Sequence, residues 1–192
     1  MNNDAKKLID RLAREHSLSK EDYAFLVRAQ DEETAAYAGA LAAGVRREVY
    51  GTDVYIRGLI EISNICRKNC YYCGIRSGNR NVKRFQISRE EIIETALWAY
   101  RHRFASLVLQ SGEMMSDEFT EFIESIVREI CAKTDHQAGI TLSLGEQSPE
   151  TYRRWREAGA TRYLLRIEAS DPELYAKLHP ADHSYEARVA CL

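Results

Sequence analysis

The chain has 192 residues, of which 45% are hydrophobic and 29% are charged, and its formal net charge at pH 7 is −2. This composition is typical of a globular protein with a sizeable core. The near-neutral charge argues against bulk electrostatic binding to nucleic acid or anionic membranes. No apolar run approaches the roughly 20 residues of a membrane helix. We therefore expect neither nucleic acid nor a membrane as a partner.

The N-terminus and the cysteine count indicate the compartment. The segment MNNDAKKLIDRLAREH alternates charged and apolar residues and lacks the apolar region and cleavage site of a signal peptide. We therefore expect a cytoplasmic protein, in which disulfides are rare and clustered cysteines more often bind metal or take part in chemistry. The odd number of cysteines, five, fits this interpretation better than a disulfide framework does.

Residues 1–52 are predicted to form an N-terminal helical cover. AKKLIDRLAREH carries Leu8, Ile9 and Leu12 on one stripe. Ser19 is a predicted N-cap for the next helix, with Asp22 three residues on. The third segment is rich in alanine, the best helix former, and stops at Gly51.

From residue 53 the pattern changes to alternating strands and helices. VYIRGLIEIS is a predicted strand with Ile56, Ile60 and Ile62 on one face. Three more predicted strands follow, in ASLVLQSGE, AGITLSLGE and TRYLLRIEAS. Helices are predicted after Ser88, over SDEFTEFIESIVREICAK, and from Ser148-Pro149. A short helical turn, DPELYAKLH, and the start of a further helix, SYEARVACL, complete the pattern.

Strict alternation of strands and helices predicts an α/β fold with parallel strands and right-handed crossovers. The polar second face of the strands favours a β/α (TIM-like) barrel over a doubly wound sheet, whose strands are apolar on both faces. Four strands cannot close an eight-stranded barrel, which takes about 250 residues. We therefore expect residues 53–192 to be the N-terminal half of a barrel, with the C-terminal half missing. An open sheet edge also predicts self-association of the isolated chain.

Reactive side chains follow each predicted strand. In a β/α barrel the carboxyl ends of the strands form one rim, where active sites lie. The first strand runs into a cysteine cluster, and polar or charged groups follow the other three. The residues at this rim are Cys66, Cys70, Cys73, Ser111, Gly112, Glu113, Gly145, Glu146, Arg166, Glu168 and Ser170.

The three clustered cysteines have the spacing C-x3-C-x2-C. A structural zinc site usually has four nitrogen or sulfur ligands, most often from paired C-x2-C units, and no second pair is present. Iron–sulfur clusters are also held by thiolates, normally four. Three thiolates on a four-iron cluster would leave one iron open to another ligand. The remaining cysteines, Cys131 and Cys191, are predicted to be small buried apolar groups.

This motif resembles the signature of the radical S-adenosylmethionine (SAM) superfamily, and Tyr72 just before Cys73 strengthens the resemblance. The resemblance implies a 4Fe–4S cluster on Cys66, Cys70 and Cys73. Its open iron would chelate SAM, and reductive cleavage of SAM would yield a 5′-deoxyadenosyl radical. The SGE sequence resembles the family's GGE motif, which implies that Glu113 receives the SAM amino group. Ser111 stands in place of the first glycine, before Gly112.

The stretches IRGLIEISNICRKNCYYCGIR, LVLQSGE, TLSLGE and AGATRYLLRIEAS together resemble the HydE family of FeFe-hydrogenase maturases, in the biotin-synthase-like branch. This resemblance implies that Glu146 binds the SAM ribose, Arg166 pairs with the SAM carboxylate and Tyr72 lies against the adenine. It implies a small-molecule substrate and a role in assembling the hydrogenase iron site. The implied protein partners are a one-electron donor, such as ferredoxin or flavodoxin, and the other hydrogenase maturases.

Several alternatives remain open from the sequence. A biotin-synthase-like or mutase-type radical SAM enzyme would keep the cofactors and change the substrate, whereas a zinc-stabilised binding module would be no enzyme at all. Glu113 could be an exposed loop acid, and Glu146 an acid before a helix. Arg166 could simply pair with Glu168 or Glu146. His179, which follows the fourth strand, has no assigned role.

Overall fold

The computed structural model describes residues 2–192, which divide into two compact units, one ending at Val54 and the next beginning at Tyr55. The first unit contains three helices: α1 (Asn3–Glu15), α2 (Lys20–Arg28) and α3 (Glu32–Tyr50). Each helix is preceded by a capping residue whose side chain accepts a hydrogen bond from a backbone N–H of the first turn. The capping residues are Asn2, Ser19 and Asp31 respectively. The hydroxyl of Tyr37 in α3 donates to Asp10 in α1 at 2.5 Å. Arg11 of α1 pairs with Asp22 of α2.

The second unit is a four-stranded parallel sheet with the strand order β1-β2-β3-β4, which confirms the predicted α/β fold. Serine side chains cap α4, α5 and α6, because an N-cap hydroxyl satisfies an otherwise free backbone N–H. The elements are β1 (Arg57–Ser63), α4 (Arg89–Arg101), β2 (Ser106–Ser111), α5 (Asp117–Lys133), β3 (Ile140–Ser143), α6 (Pro149–Ala158), β4 (Arg162–Tyr163), α7 (Pro172–Leu178) and α8 (Tyr185–Ala190).

The core lies between the sheet and helices α4, α5 and α6. Apolar residues at spacings of three and four place Ile123, Ile126 and Ile130 of α5 on one fully buried stripe. Trp155 of α6 is also buried, and its indole N–H donates to the Thr120 carbonyl at 3.0 Å. This packing fixes the strands, and therefore the positions of the loops that follow them.

Two strand predictions differ from the structure. β4 covers only Arg162–Tyr163, and its last ladder bond runs from the Leu164 N–H to the Leu142 carbonyl at 2.8 Å. The neighbouring strand β3 ends one residue later, so the backbone beyond Leu164 has no ladder to join. Ile56 was predicted to share a strand face with Ile60 and Ile62, but it precedes β1 and is 62% exposed, whereas Ile60 and Ile62 are buried.

None of the helices in residues 2–192 is both long enough and apolar enough to cross a membrane.

Candidate active site at the carboxyl ends of the strands

The cysteine loop follows β1 and is held by the chain's own hydrogen bonds. Ser63 forms an antiparallel bridge with Gln86, so the loop leaves and returns at the same point. The guanidinium of Arg84 donates to four backbone carbonyls inside this loop, at 2.7–3.2 Å. The four carbonyls belong to Asn64, Ile75, Arg76 and Asn79. A single half-buried side chain therefore ties both ends of the loop to its middle.

The loop is docked against the end of β2 at Gly112. The Arg67 N–H donates to the Glu113 carbonyl at 2.9 Å, and the Glu113 N–H donates to the Cys66 sulfur at 3.3 Å. A Cβ atom at Gly112 would lie 2.6 Å from the Cys66 Cβ and would also collide with the Ile65 carbonyl. The glycine is required because the two backbones approach too closely for any side chain.

One cleft of about 230 Å³ gathers most of the predicted site residues. All three clustered cysteines line it, and none of them forms a disulfide. The predicted site residues that join them are Tyr72, Ser111, Gly112, Glu113 and Arg166. Glu146 does not line this cleft. Glu146 lies behind the cleft and directly follows Gly145, which is one of the residues that line the cleft.

Glu113 is buried, with only 4% of its surface exposed. Its Oε2 accepts the Glu146 N–H at 2.8 Å. Within residues 2–192 its Oε1 has no hydrogen-bond partner, and the Lys68 ammonium is 3.7 Å away. A buried carboxylate oxygen without a hydrogen bond is costly, so it indicates a place where another donor binds. Glu113 is therefore not an exposed loop acid.

The Glu146 carboxylate has three cationic or hydrogen-bonding partners. Oε2 lies 3.2 Å from Lys68 Nζ, while Oε1 lies 3.0 Å from His183 Nε2 and 2.9 Å from Arg188 Nε. Burial by itself raises the pKa of Glu146. The hydrogen bond from His183 and the charges of Arg188 and Lys68 outweigh burial and lower the pKa to about 2. Glu146 is therefore ionised and joins the cysteine loop to α8.

Arg166 and Glu168 line the cleft but do not pair with each other. The salt bridges of residues 2–192 include none between Arg166 and either Glu168 or Glu146, so the simple pairings considered from the sequence were wrong. Glu168 has a left-handed backbone, with φ 64°, which is uncommon for a residue with a side chain. It presents an exposed carboxylate at the mouth of the cleft.

Tyr72 is 48% exposed, and its hydroxyl contacts His179 Nε2 at 3.0 Å. His179 and His183 are both buried, close to Cys70. Sequence reasoning did not assign Lys68, His183 or Arg188 to the site. The H-x3-H spacing of the two histidines was a usable signal, because metal-binding pairs have such a spacing. Arg188 carried no comparable signal.

A sequence profile of the Radical SAM superfamily matches residues 60–192. This range contains the cysteine loop, the sheet and the cleft, and the chain belongs to this superfamily. Its members generally use a 4Fe–4S cluster and SAM.

Among its relatives, the chain is 47% identical over 154 residues to the [FeFe] hydrogenase maturase subunit HydE of Thermotoga maritima, covering 79% of this chain and 42% of that protein. It is 30% identical over 166 residues to 3-methylornithine synthase of Methanosarcina acetivorans, covering 84% of this chain and 45% of the synthase. The crystal structure of methylornithine synthase (PylB) superimposes with a TM-score of 0.81 at 26% identity, covering 96% of this chain and 54% of that one. The chain thus spans about half the length of these relatives.

Proposed function

We propose that this protein holds a 4Fe–4S cluster on Cys66, Cys70 and Cys73 and cleaves SAM reductively. The observation that carries the proposal is the meeting, in one cleft, of three free thiols with a buried carboxylate oxygen that has no hydrogen-bond partner among residues 2–192. The donor set fits the group, since thiolates are the usual ligands of iron–sulfur clusters and three of them leave one iron available to SAM. When bound, the cluster supplies the electron that breaks a carbon–sulfur bond of SAM and gives a 5′-deoxyadenosyl radical.

The chain's own residues would bind and orient SAM. Glu113 Oε1 is the natural acceptor for the SAM amino group, because a buried carboxylate gains most from a charged donor. Arg166 at the cleft can pair with the SAM carboxylate, and Arg188, which also lines the cleft, is a second cation for that task. The half-exposed ring of Tyr72 offers an apolar face for the adenine. Ser111 and Gly112 bring the backbone of β2 against the cysteine loop.

The ribose hydroxyls have two candidate acceptors. The motif position favours Glu146, but both of its oxygens already have partners behind the cleft. Glu168 lines the cleft with an exposed carboxylate, which supports a direct contact to the ribose. We infer that Glu168 accepts the ribose hydroxyls, while Glu146 positions Lys68 and Arg188. Glu168→Gln should then lower SAM affinity without changing the stability of the protein, whereas Glu146→Gln should lower both the SAM affinity and the stability.

The function that the comparisons favour is that of a HydE-like maturase acting on a small molecule in hydrogenase assembly. The 47% identity to HydE supports it. A one-electron donor such as ferredoxin or flavodoxin, together with other hydrogenase maturases, would be the partners, and the cytoplasm would be the compartment. A second candidate is an activity of the methylornithine synthase kind, supported by 30% identity and by the shared fold.

Anaerobic reconstitution with iron and sulfide tests the cofactor assignment. The expected product is a brown protein with about four irons per chain, which forms 5′-deoxyadenosine from SAM after reduction. Cys70→Ala should lose both properties, while Cys131→Ala, a buried cysteine outside the cleft, should retain them. A reconstituted chain that stays colourless and releases no 5′-deoxyadenosine would overturn the proposal.

Testing the substrate requires the reconstituted protein in two assays. A HydE-like maturase should restore hydrogenase activity in a maturation mixture from which HydE has been omitted. Formation of 3-methylornithine, with no effect on hydrogenase maturation, would favour the second candidate and refute the first.

A further inference from the structure

A second group of metal-ligating side chains lies beside the cysteine loop. One ligand atom each from Cys70, His179 and His183 lies within 4.8 Å of the other two. His179 ends α7, His183 lies in the short segment before α8, and both side chains are buried. A thiol with two imidazoles is a donor set typical of zinc, and the two histidines have the H-x3-H spacing of many zinc sites.

The hydrogen bonds of His179 leave the lone pair of its Nε2 available to bind a metal. Its Nδ1 lies 2.8 Å from the Tyr175 carbonyl, and a carbonyl only accepts, so Nδ1 carries the proton. The lone pair of Nε2 is thus available, and it now accepts the Tyr72 hydroxyl. The ring is also stacked on Tyr175, with centroids 3.8 Å apart, which fixes its orientation.

His183 is oriented in the complementary way. Its Nε2 lies 3.0 Å from the ionised Glu146 carboxylate, which can accept the Nε2 proton in the tautomer that leaves the lone pair on Nδ1. That nitrogen lies 3.5 Å from the Cys70 sulfur. An Arg188 N–H, which can only donate, also lies 2.9 Å from Nε2, so metal binding at Nδ1 requires Arg188 to keep its pairing with Glu146 and to release Nε2. Histidines that ligate metals commonly donate their other N–H to a carbonyl or a carboxylate, and each of these two rings has such an acceptor within 3.0 Å of its other nitrogen.

The distances fit a tetrahedral ion. With Zn–S of about 2.3 Å and Zn–N of about 2.0–2.1 Å, tetrahedral geometry separates sulfur and nitrogen by about 3.5–3.6 Å. The Cys70–His183 separation already has this value, so a movement of about 1 Å by His179 would complete the set. The Tyr72 hydroxyl would have to move aside, and its half-exposed side chain has room to do so.

We propose that Cys70, His179 and His183 form a mononuclear site for Zn²⁺ that excludes the iron–sulfur cluster, because Cys70 serves both. A water molecule would take the fourth position. Binding replaces the proton of the Cys70 thiol and involves no redox step. The site does not depend on the SAM chemistry proposed above, since its ligands include neither Cys66 nor Cys73. Zinc binding would therefore hold the chain in a form that cannot load the cluster.

Cobalt(II) is the probe for this site, because tetrahedral Co²⁺–thiolate sites absorb in the visible and zinc displaces the ion. Metal-stripped chain is titrated anaerobically with Co²⁺ and then with Zn²⁺. We expect one equivalent to bind in the wild type and in a Cys66→Ser/Cys73→Ser double variant, which retains the proposed ligands. Cys70→Ser and His183→Gln should each weaken binding beyond the roughly 10–100-fold that loss of an outer partner costs. His136→Gln, an exposed histidine elsewhere, is the matched control.

The opposite pattern would overturn the proposal. If the double variant loses the cobalt spectrum while His179→Gln and His183→Gln keep it, the ion sits on the three cysteines. Absence of any tetrahedral spectrum in the wild type would also refute the site. Circular dichroism of each variant verifies that it is folded. A separate experiment measures iron uptake during reconstitution of zinc-loaded and zinc-free chain. The zinc-loaded chain should take up less iron, and equal uptake would refute the proposal that zinc excludes the iron–sulfur cluster.

Discussion

Gly112→Ala should destabilise the protein and displace the cysteine loop. The added Cβ would lie 2.6 Å from the Cys66 Cβ, whereas non-bonded carbons pack at about 3.5–4.0 Å. The loop must therefore retreat from β2 by about 1 Å, because the Ile65 backbone blocks the same space. Overpacking of this kind costs about 1–3 kcal/mol. A protein of this length loses about 2–4 °C in Tm per kcal/mol, so we expect a decrease of roughly 2–12 °C.

Thermal unfolding and iron content after reconstitution measure this effect. The displaced Cys66 should also reduce iron uptake, since a cluster needs its thiolates within narrow limits. Gly74→Ala is the matched control, because Gly74 lies in the same loop and a Cβ there would meet nothing within 4 Å. It should change stability by no more than about 0.5 kcal/mol. If Gly112→Ala matches the wild type in both Tm and iron, the close approach of the two backbones is not required.

Three other outcomes follow from contacts in the second unit. Glu113→Gln should lower SAM affinity about 10–100-fold with iron content unchanged, because it removes a charge-assisted hydrogen bond. Equilibrium dialysis measures the affinity, and an unchanged value would contradict the role of Glu113 as acceptor for the SAM amino group. Because the pKa of Glu146 falls from 4.5 to about 2 on folding, its ionisation contributes up to about 3 kcal/mol above pH 4.5, lost as the pH falls towards 2. Urea unfolding from pH 6 to pH 3 should show this loss in the wild type and much less of it in Glu146→Gln. Trp155→Ala should cost about 3–5 kcal/mol, since the indole is buried in the core; a smaller loss in urea unfolding would mean that α6 closes over the gap.

The helices and the parallel sheet could be predicted because their signals are local. Ser88 and Ser148 begin helices as capping residues, and the apolar stripe of α5 is visible in its spacing. The length of β4 could not be predicted. TRYLLRIEAS alternates like a strand, but the end of β3 decides how far pairing can continue.

Some features of the candidate site could likewise be predicted from the sequence, and others could not. Parallel strands place their carboxyl ends together, so the meeting of the cysteines with Glu113 and Arg166 at one cleft follows from the order of elements. The contacts of Glu146 with His183 and Arg188 depend on how the segment around α7 and α8 folds back. That path is set by tertiary packing, and the sequence pattern carries little information about it.

The four carbonyl contacts of Arg84 bear on the energy and the speed of metal uptake. Ordering a flexible segment costs about 1–2 kcal/mol of backbone entropy per residue. Here the chain meets that cost when it folds, so capture of a metal needs only small side-chain movements. Uptake should then be limited by the arrival of iron and sulfide, with no slow ordering step. Backbone amides of this loop should exchange slowly with solvent deuterium, because opening the loop would break the Arg84 contacts that connect its segments.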